Sequence, residues 1–587
     1  MDEVVKRIHT IAFIFLIVSS CKNEDHAEPR TIESEEPVDG IRIAWDYKTL
    51  RQVSPAEAGY AGYARMIKLH DGTLFCVFES DGNTQAVTSN DGGEHWSEPV
   101  MIAARENDIA RAVPEVLQLQ DQSILISYNL RPTGNNTNPD KRFAIQVKRS
   151  DDGGKHWSSA VQVYTAGYEF KNGCWEPAQI QLPSGEIQLY IANEGPYTQS
   201  DEQEITMFRS VDNGTTWTAG EKVSFRSGYR DGMPVPLLLQ NKQTILFAIE
   251  DNGIDPGEFK PVIIRTTASN SWNNAPVLAS STDREHALDK LNRVPVTKYA
   301  GAPYIRQLSS GEVLLSYQGN EYRKDYQWDR SDMIVAIGSS DGRNFNRKSI
   351  PFYISDTAKT SLWNSIAIEN DTTVIALGST NGFGDKTAVW MIKGRVLRPI
   401  KSHRAFITVD GSESEPLWSA APSVYIGGYG STSVEMHTAW SEDMLYLMAE
   451  VNDTNVFASS GDAQKDDGIR VYIDPKNLAA RAPVANFFSF TMTASGKIFY
   501  TQGKDGHWVD WNPAGVQTKV AATESGYSIE AAIPWSALNG RPEKDTRIGF
   551  HAELRETSNG IKHDYTEPLS GNVTDAPYTW SPLFLTD

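Results

Sequence analysis

Two glutamates in the first half of the chain stand where glycosidic chemistry would need them. Glu176 lies between Trp175 and Pro177, neighbours that desolvate a carboxyl group and fix its direction. Glu250 closes the apolar run Ile245-Leu246-Phe247-Ala248-Ile249, a setting that predicts a half-buried side chain. Desolvation raises a carboxyl pKa toward the value a proton donor requires. Glycoside hydrolysis uses two such groups. One is the acid/base with a raised pKa, and the other is a nucleophile or a base that activates water. In the blander alternative each carboxylate pairs with an arginine, such as Arg65 or Arg230, and only braces the fold.

Other polar and aromatic residues share the ends of apolar strands with this pair. The strand openings carry Arg65, Glu115, Trp175-Glu176, Arg230-Asp231-Gly232-Met233, Tyr304 and Trp363-Asn364. The ends of the following strands carry Glu79, Asn129, Glu194, Glu250-Asp251, Tyr317-Gln318 and Asn320. From these, Arg65, Trp175, Glu194, Arg230, Asp231, Met233, Tyr304, Tyr317 and Asn364 are expected to bind substrate. The elements that bring them together repeat. An apolar strand, a polar turn and a second apolar strand recur six times, beginning at Arg65, Val113, Trp175, Met233, Ala302 and Asn364. Strands broken at Gly, Asp, Ser or Asn are the mark of a hairpin. Repeats of roughly 50–70 residues predict four-stranded blades around a central channel. A second pattern, S-x-D-x-G-x-x-W, stands at Ser89–Trp96, Ser150–Trp157 and Ser210–Trp217, about 60 residues apart. Its Ser and Asp side chains imitate a turn, its Gly takes a positive φ, and its Trp folds back on the hairpin. A shortened copy runs from Ser339 to Phe345, and the stretch around Trp272 keeps little beyond the aromatic ring. The pattern resembles the Asp-box (BNR repeat) of the sialidase superfamily, which is a structural turn rather than a catalytic one.

The segments Trp175-Glu176-Pro177, Leu189–Glu194, Arg230–Pro234 and Ala248–Asp251 together resemble glycoside hydrolase family 93. That family consists of secreted exo-α-1,5-L-arabinanases on a six-bladed sialidase-like propeller. The resemblance implies a retaining mechanism in which Glu176 is the nucleophile and Glu250 the acid/base, with no cofactor. It is strongest between residues 170 and 265. A lipid anchor and an added C-terminal module depart from the family's usual form and leave sugar and linkage open. The rival enzyme is a sialidase, which holds a substrate carboxylate with three arginines. Arg65, Arg230 and Arg306 are the available ones, in contexts unlike those of sialidases. A non-catalytic surface glycan-binding protein and a propeller lyase are the remaining alternatives.

The chain has 587 residues and a formal charge of −20, with no long Lys/Arg run. This predicts more than one domain, disfavours nucleic-acid partners and fits a neutral substrate better than a polyanion. Three cysteines make no disulfide framework. Cys76 and Cys174 read as buried apolar residues. Cys21 follows Lys6-Arg7 and the apolar run Ile11–Val18, which is too short to span a bilayer. Val18-Ser19-Ser20-Cys21 resembles a bacterial lipobox. It implies lipidation at Cys21 and an outer-membrane, surface-exposed lipoprotein of a Gram-negative bacterium. The acidic stretch after Cys21 reads as a solvated tether. No His-rich set points to a metal among eleven histidines, and a monomer is expected.

From about Phe406 the pattern changes to short alternating strands, which predict a β-sandwich. Ile407–Gly411, Ala439-Trp440, Asp466–Asp474 and Gly526–Trp535 resemble the carbohydrate-binding module family 9-like domain. Trp440, Trp508, Trp511 and Trp580 are possible sugar platforms. Trp440 and Trp580 read as core, while Trp508 and Trp511 read as loop residues. Asp466 and Asp467 read as a solvated loop, with a calcium site as the alternative. The expected organisation is an all-β protein. It comprises a signal peptide (1–21), a linker (22–40), a six-bladed propeller (41–402) and a β-sandwich (403–587).

Overall fold

The computed structural model describes residues 41–587, apart from short stretches at 274–275, 324–326, 355, 398, 422, 428–431, 459–464, 479, 481, 541–546, 559–560, 567–576 and 578–579. Cys21, the signal segment and the linker lie outside the described residues. Six four-stranded antiparallel sheets follow one another along the chain as blades. Their first strands are Ala61–Lys68, Ile109–Gln118, Cys174–Gln181, Asp231–Leu238, Ala300–Gln307 and Ser361–Asn370. Their second strands are Leu74–Ser80, Ile124–Pro132, Ile187–Asn193, Thr244–Asp251, Val313–Gly319 and Thr373–Thr380. The six repeats read from the sequence are therefore the two inner strands of six blades. The outermost strand of the sixth blade comes from the start of the domain. Arg42–Gln52 pairs with Ala388–Leu397 and closes the ring. Trp45 on that strand is fully buried and donates its indole N–H to Ser349 Oγ of blade five at 3.0 Å.

Burial on both faces of the inner strands explains their near-continuous apolar runs. In Thr244–Asp251 every residue after the first is buried, and one apolar cluster extends across blades four to six. Each fully buried Leu, Ile or Phe there contributes about 1.5–3 kcal/mol. The Asp-box turns staple neighbouring blades. In the second copy Ser150 Oγ accepts the Gly154 N–H at 2.9 Å and Asp152 Oδ1 accepts the His156 N–H at 2.9 Å. The Trp157 indole returns a bond to the Gly154 carbonyl at 3.0 Å. Gly154 has φ +89°, and a Cβ there would come within 2.6 Å of Phe75 on the preceding blade. The first and third copies repeat the Ser and Asp bonds, and the third repeats the indole bond at 3.1 Å, whereas the Trp96 indole N–H of the first copy makes none among the described residues. The shortened copy keeps Ser339 Oγ on the Arg343 N–H at 3.0 Å, and Trp272 bonds Tyr190 of the preceding blade at 2.9 Å.

From Ile400 the chain enters a second body. Ile400–Arg404 pairs in parallel with Ser581–Thr586 and with Ser433–Trp440. Among the described residues thirteen strands share one sheet, eleven of them in a single hydrogen-bonded path and two branching from it, over a core that includes Val434, Leu447, Val471, Phe490, Ile529 and Phe550. The two bodies touch. The Arg395 guanidinium lies 3.9 Å over the Tyr425 ring, and Arg347 donates to the Trp580 carbonyl at 3.2 Å. No helix among the described residues is long and apolar enough to cross a membrane.

Candidate active site

All six first strands break register at the same point. The pairing skips two residues after Gly62, Ala112, Trp175, Gly232, Gly301 and Leu362. The first skipped residue is Tyr63, Val113, Glu176, Met233, Ala302 or Trp363, and each has φ between +42° and +52°. Left-handed backbone is costly for such residues, on the order of 1–3 kcal/mol each, and bulges of this kind re-aim side chains beside active sites. The second skipped residue is Pro in four blades: Pro114, Pro177, Pro234 and Pro303. A bulge tolerates Pro because no ladder hydrogen bond is lost. Tyr63, Val113, Met233, Ala302 and Trp363 gather in one apolar cluster. Glu176 is the only carboxylate in this ring.

The second strands add a latch. The residues paired just before each skip are Glu79, Asn129, Ala192, Glu250, Gln318 and Ser379. Four of them accept the N–H of the next blade's bulge residue. Glu250 Oε2 takes Ala302 at 2.8 Å, Gln318 Oε1 takes Trp363 at 2.7 Å and Ser379 Oγ takes Tyr63 at 3.0 Å. Glu79 takes Val113. Glu250 thus holds its neighbour blade with one oxygen. Its Oε1 makes no hydrogen bond among the described residues, nor does the carboxyl of Glu176.

Electrostatics single out these two. Burial pushes Glu176 up to about 8; the charges of Glu250 and then Glu194 add to the rise, while Arg131 and Arg230 oppose it. Burial pushes Glu250 up to about 7, against the Ala302 N–H and Arg230. Glu250 is 9% exposed, more deeply placed than its sequence context predicts. Neither carboxylate has an ion-pair partner among the described residues. Arg65 instead meets Glu115 at 3.5 Å, and Arg230 is bound to Glu194. Glu194 is buried and also accepts from Gln203 at 3.2 Å, so Arg230 is fixed beside both glutamates. Tyr299 faces the pair too: the charges of Glu250 and Glu176 add to the burial that raises its phenol. A Cβ at Gly301 would lie 2.4 Å from both Glu250 Oε2 and Tyr299 Oη, so only glycine fits between them. Trp175 is buried under Phe170 and Phe143, with the Arg131 guanidinium 5.1 Å over its ring. Met233 belongs to the bulge ring itself.

The remaining expected binding residues are engaged elsewhere. Arg65 and Tyr304 sit two residues further along their strands than the bulge residues, and both are buried. The Arg65 guanidinium lies 4.8 Å over the Tyr304 ring, and the Tyr304 hydroxyl lies 3.4 Å from Glu115. Arg306 stacks on the same ring at 4.2 Å. Asn364 is buried and donates to the Ala302 carbonyl at 3.0 Å. Tyr317 is buried in blade five with its hydroxyl on Glu321 at 2.6 Å. Asp231 is fully buried and gripped through both oxygens by Arg284, at 2.6 and 2.8 Å. Sequence reasoning missed Arg131, Tyr299 and the bulge ring. The recurrent Pro early in four strands was the available signal. The two buried cysteines behave as expected, with burial pushing both thiols up.

In the second body, Trp440 and Trp580 are core residues, each 3% exposed. Trp508 is not in a loop but in the strand His507–Asp510, stacked 6.3 Å from Trp580. Trp511 packs on Phe488 and Phe490 at 4.8 and 5.9 Å. The solvated-loop reading of Asp466 and Asp467 fails, because both are buried. Asp467 accepts the Thr557 and Phe457 N–H groups at 2.6 and 2.5 Å, and burial pushes it up to about 7.

Comparison with known proteins agrees with this architecture. Residues 140–250 match the BNR repeat-like domain, and residues 409–570 match the carbohydrate family 9 binding domain-like family. The first match falls within the propeller and the second within the second body. An endo-1,4-beta-xylanase A of Thermoanaerobacterium saccharolyticum is 23% identical over 225 residues, covering 36% of this chain and 17% of the relative. The chain therefore spans only a small part of that relative's length. A family 93 alpha-L-arabinofuranosidase of Fusarium graminearum, solved with arabinobiose, superposes with a TM-score of 0.46 and 18% identity, over 60% of this chain and 97% of that one. A family 9 carbohydrate-binding module of Caldicellulosiruptor kristjanssonii, solved with glucose, superposes with a TM-score of 0.28 and 17% identity, over 32% of this chain and 96% of that one.

Proposed function

We propose that this chain is a retaining glycoside hydrolase acting on a neutral, plant-type polysaccharide or oligosaccharide, with arabinan as the leading candidate. One observation carries the reading. Two carboxyls with no ion-pair partner among the described residues are both pushed up to near neutrality, to about 8 and about 7, and the charge of Glu250 adds to the rise at Glu176. At neutral pH such a pair holds one proton between its members, and a two-step displacement needs one protonated and one ionised group. The family resemblance assigns Glu176 as nucleophile, delivered to the mouth by its bulge; the two values alone would give the reverse, since the higher one, about 8, leaves the shared proton on Glu176. Glu250 is the acid/base; its Oε2 is anchored and its Oε1 left for the glycosidic oxygen. Arg230, oriented by Glu194, supports the ionised state of both. The carbohydrate-binding family of the second body supports a sugar substrate. Arg65 and Arg306 are spent on Tyr304, and Arg230 on Glu194, which weighs against a sialidase. The protein works at the outer-membrane surface, tethered through Cys21.

The test is a screen of the purified protein on arabinan, xylan, other plant glycans and sialosides, with products sized and their anomeric form read by NMR. Glu176→Gln and Glu250→Gln should each lower kcat/KM by at least ~10²–10⁴-fold. With an activated aryl glycoside, azide should rescue the Glu250 variant with retention and the Glu176 variant with inversion. Glycan binding without cleavage by the wild type would overturn the enzyme reading, and an unsaturated product would mark a lyase.

A further inference from the structure

Trp328 is the feature that packing leaves unexplained. It is 50% exposed and belongs to none of the apolar clusters. Leaving half an indole in water forfeits the stabilisation that covering it would give. Yet the ring is held in place. Ser331 Oγ donates to the Trp328 carbonyl at 2.7 Å, and Asp332, next to Ser331, is held by Arg323 in a buried ion pair. The indole edge meets Tyr299 at 6.2 Å and tilts against Trp363 at 6.0 Å. Trp363 in turn stacks on Tyr63 at 4.4 Å with the rings 14° apart. Tyr299 is the phenol that flanks Glu250 across Gly301. An aromatic arc therefore leads from the carboxyl pair over blades five, six and one, and its outermost member turns a wet face to solvent.

We propose that Trp328 is a sugar-stacking residue that binds a unit of the substrate chain beyond those at the cleavage point, making the site one for oligosaccharides rather than single sugars. This rests on the glycoside hydrolase reading. A flat, fixed indole next to the reaction centre offers the apolar face of a sugar ring a partner, and a neutral chain incurs no charge penalty there. Trp363 and Tyr63, more deeply placed, fix the direction of the arc. Phe170, 62% exposed over Trp175, marks the mouth on the Glu176 side.

The test measures binding to Glu250→Gln protein, which should not turn over, by calorimetry and by tryptophan fluorescence. The probes are ladders of linear arabino- and xylo-oligosaccharides from two to six units. Adding Trp328→Ala should weaken binding of the longer members about tenfold or more and leave the disaccharide unchanged. It should also abolish most of the fluorescence change. Trp328→Phe should restore much of the affinity. The thermal midpoint should be the same in all three proteins. Equal affinity along the ladder with and without Trp328 overturns the platform alone. If the Trp328-containing protein binds no ladder at all, the platform and the substrate reading fall together.

Discussion

Glu176 and Glu250 are one residue type in two surroundings. Both are carboxyls in a desolvated mouth, but Glu250 gives one oxygen to the Ala302 N–H while Glu176 gives none. The pair's raised values make a specific pH prediction. Below about 7 both groups bind protons and no nucleophile is available; above about 8 both are ionised and no acid remains. The free-enzyme profile of kcat/KM should be a bell with limbs near those values and a maximum between them. The check is a pH series on an unactivated substrate. A flat profile, or a single limb below pH 5, would mean that the two carboxyls do not act together. The sequence made these two glutamates visible because their neighbours, Trp175, Pro177 and an apolar strand, are local. Arg131 and Tyr299 were invisible for the opposite reason: they reach the site from other blades. Asp231, Tyr317 and Asn364 sit near strand ends as legibly as Glu176 does, and the fold turns them into partners of Arg284, Glu321 and Ala302.

At the scale of the element, the bulge and the Asp-box divide the work. The bulge stores strain at the mouth and aims one side chain per blade. The Asp-box, at the far end of the hairpin, joins blades and takes no part in chemistry. Gly154→Ala should therefore lower stability by about 1–3 kcal/mol, because the new methyl group meets Phe75 and the backbone is left-handed. It should leave kcat/KM unchanged. Denaturant unfolding and steady-state kinetics on the same preparation check both halves, and a loss of activity without loss of stability would contradict the division. The Asp-boxes were legible because turn chemistry is written in consecutive residues. The bulge was only half legible: Pro114, Pro177, Pro234 and Pro303 mark it, but blades one and six reach the same geometry with Ala64 and Asn364.

For the whole molecule, the first and last strands of the propeller share a blade, and the second body is seated against that closure through Arg395 and Tyr425. The proposed anchor, Cys21, precedes the closing strand in the sequence. Cys21→Ser should release the protein from the membrane fraction into the soluble fraction with full activity on soluble oligosaccharide. Fractionation followed by an assay of each fraction checks this. Unchanged membrane association would remove Cys21 as the anchor.

The sequence by itself determined the repeat, the blade count, the change of pattern near residue 406 and the two carboxyls whose immediate neighbours desolvate them. All of these are written in periodicity and in adjacent residues, which act over a few bonds. Only the tertiary structure decided which end of each strand faces the mouth, that six bulges converge there, and which arginines are already paired. Those outcomes depend on contacts between residues tens to hundreds of positions apart, where the ring of blades, not the local chain, sets the distance.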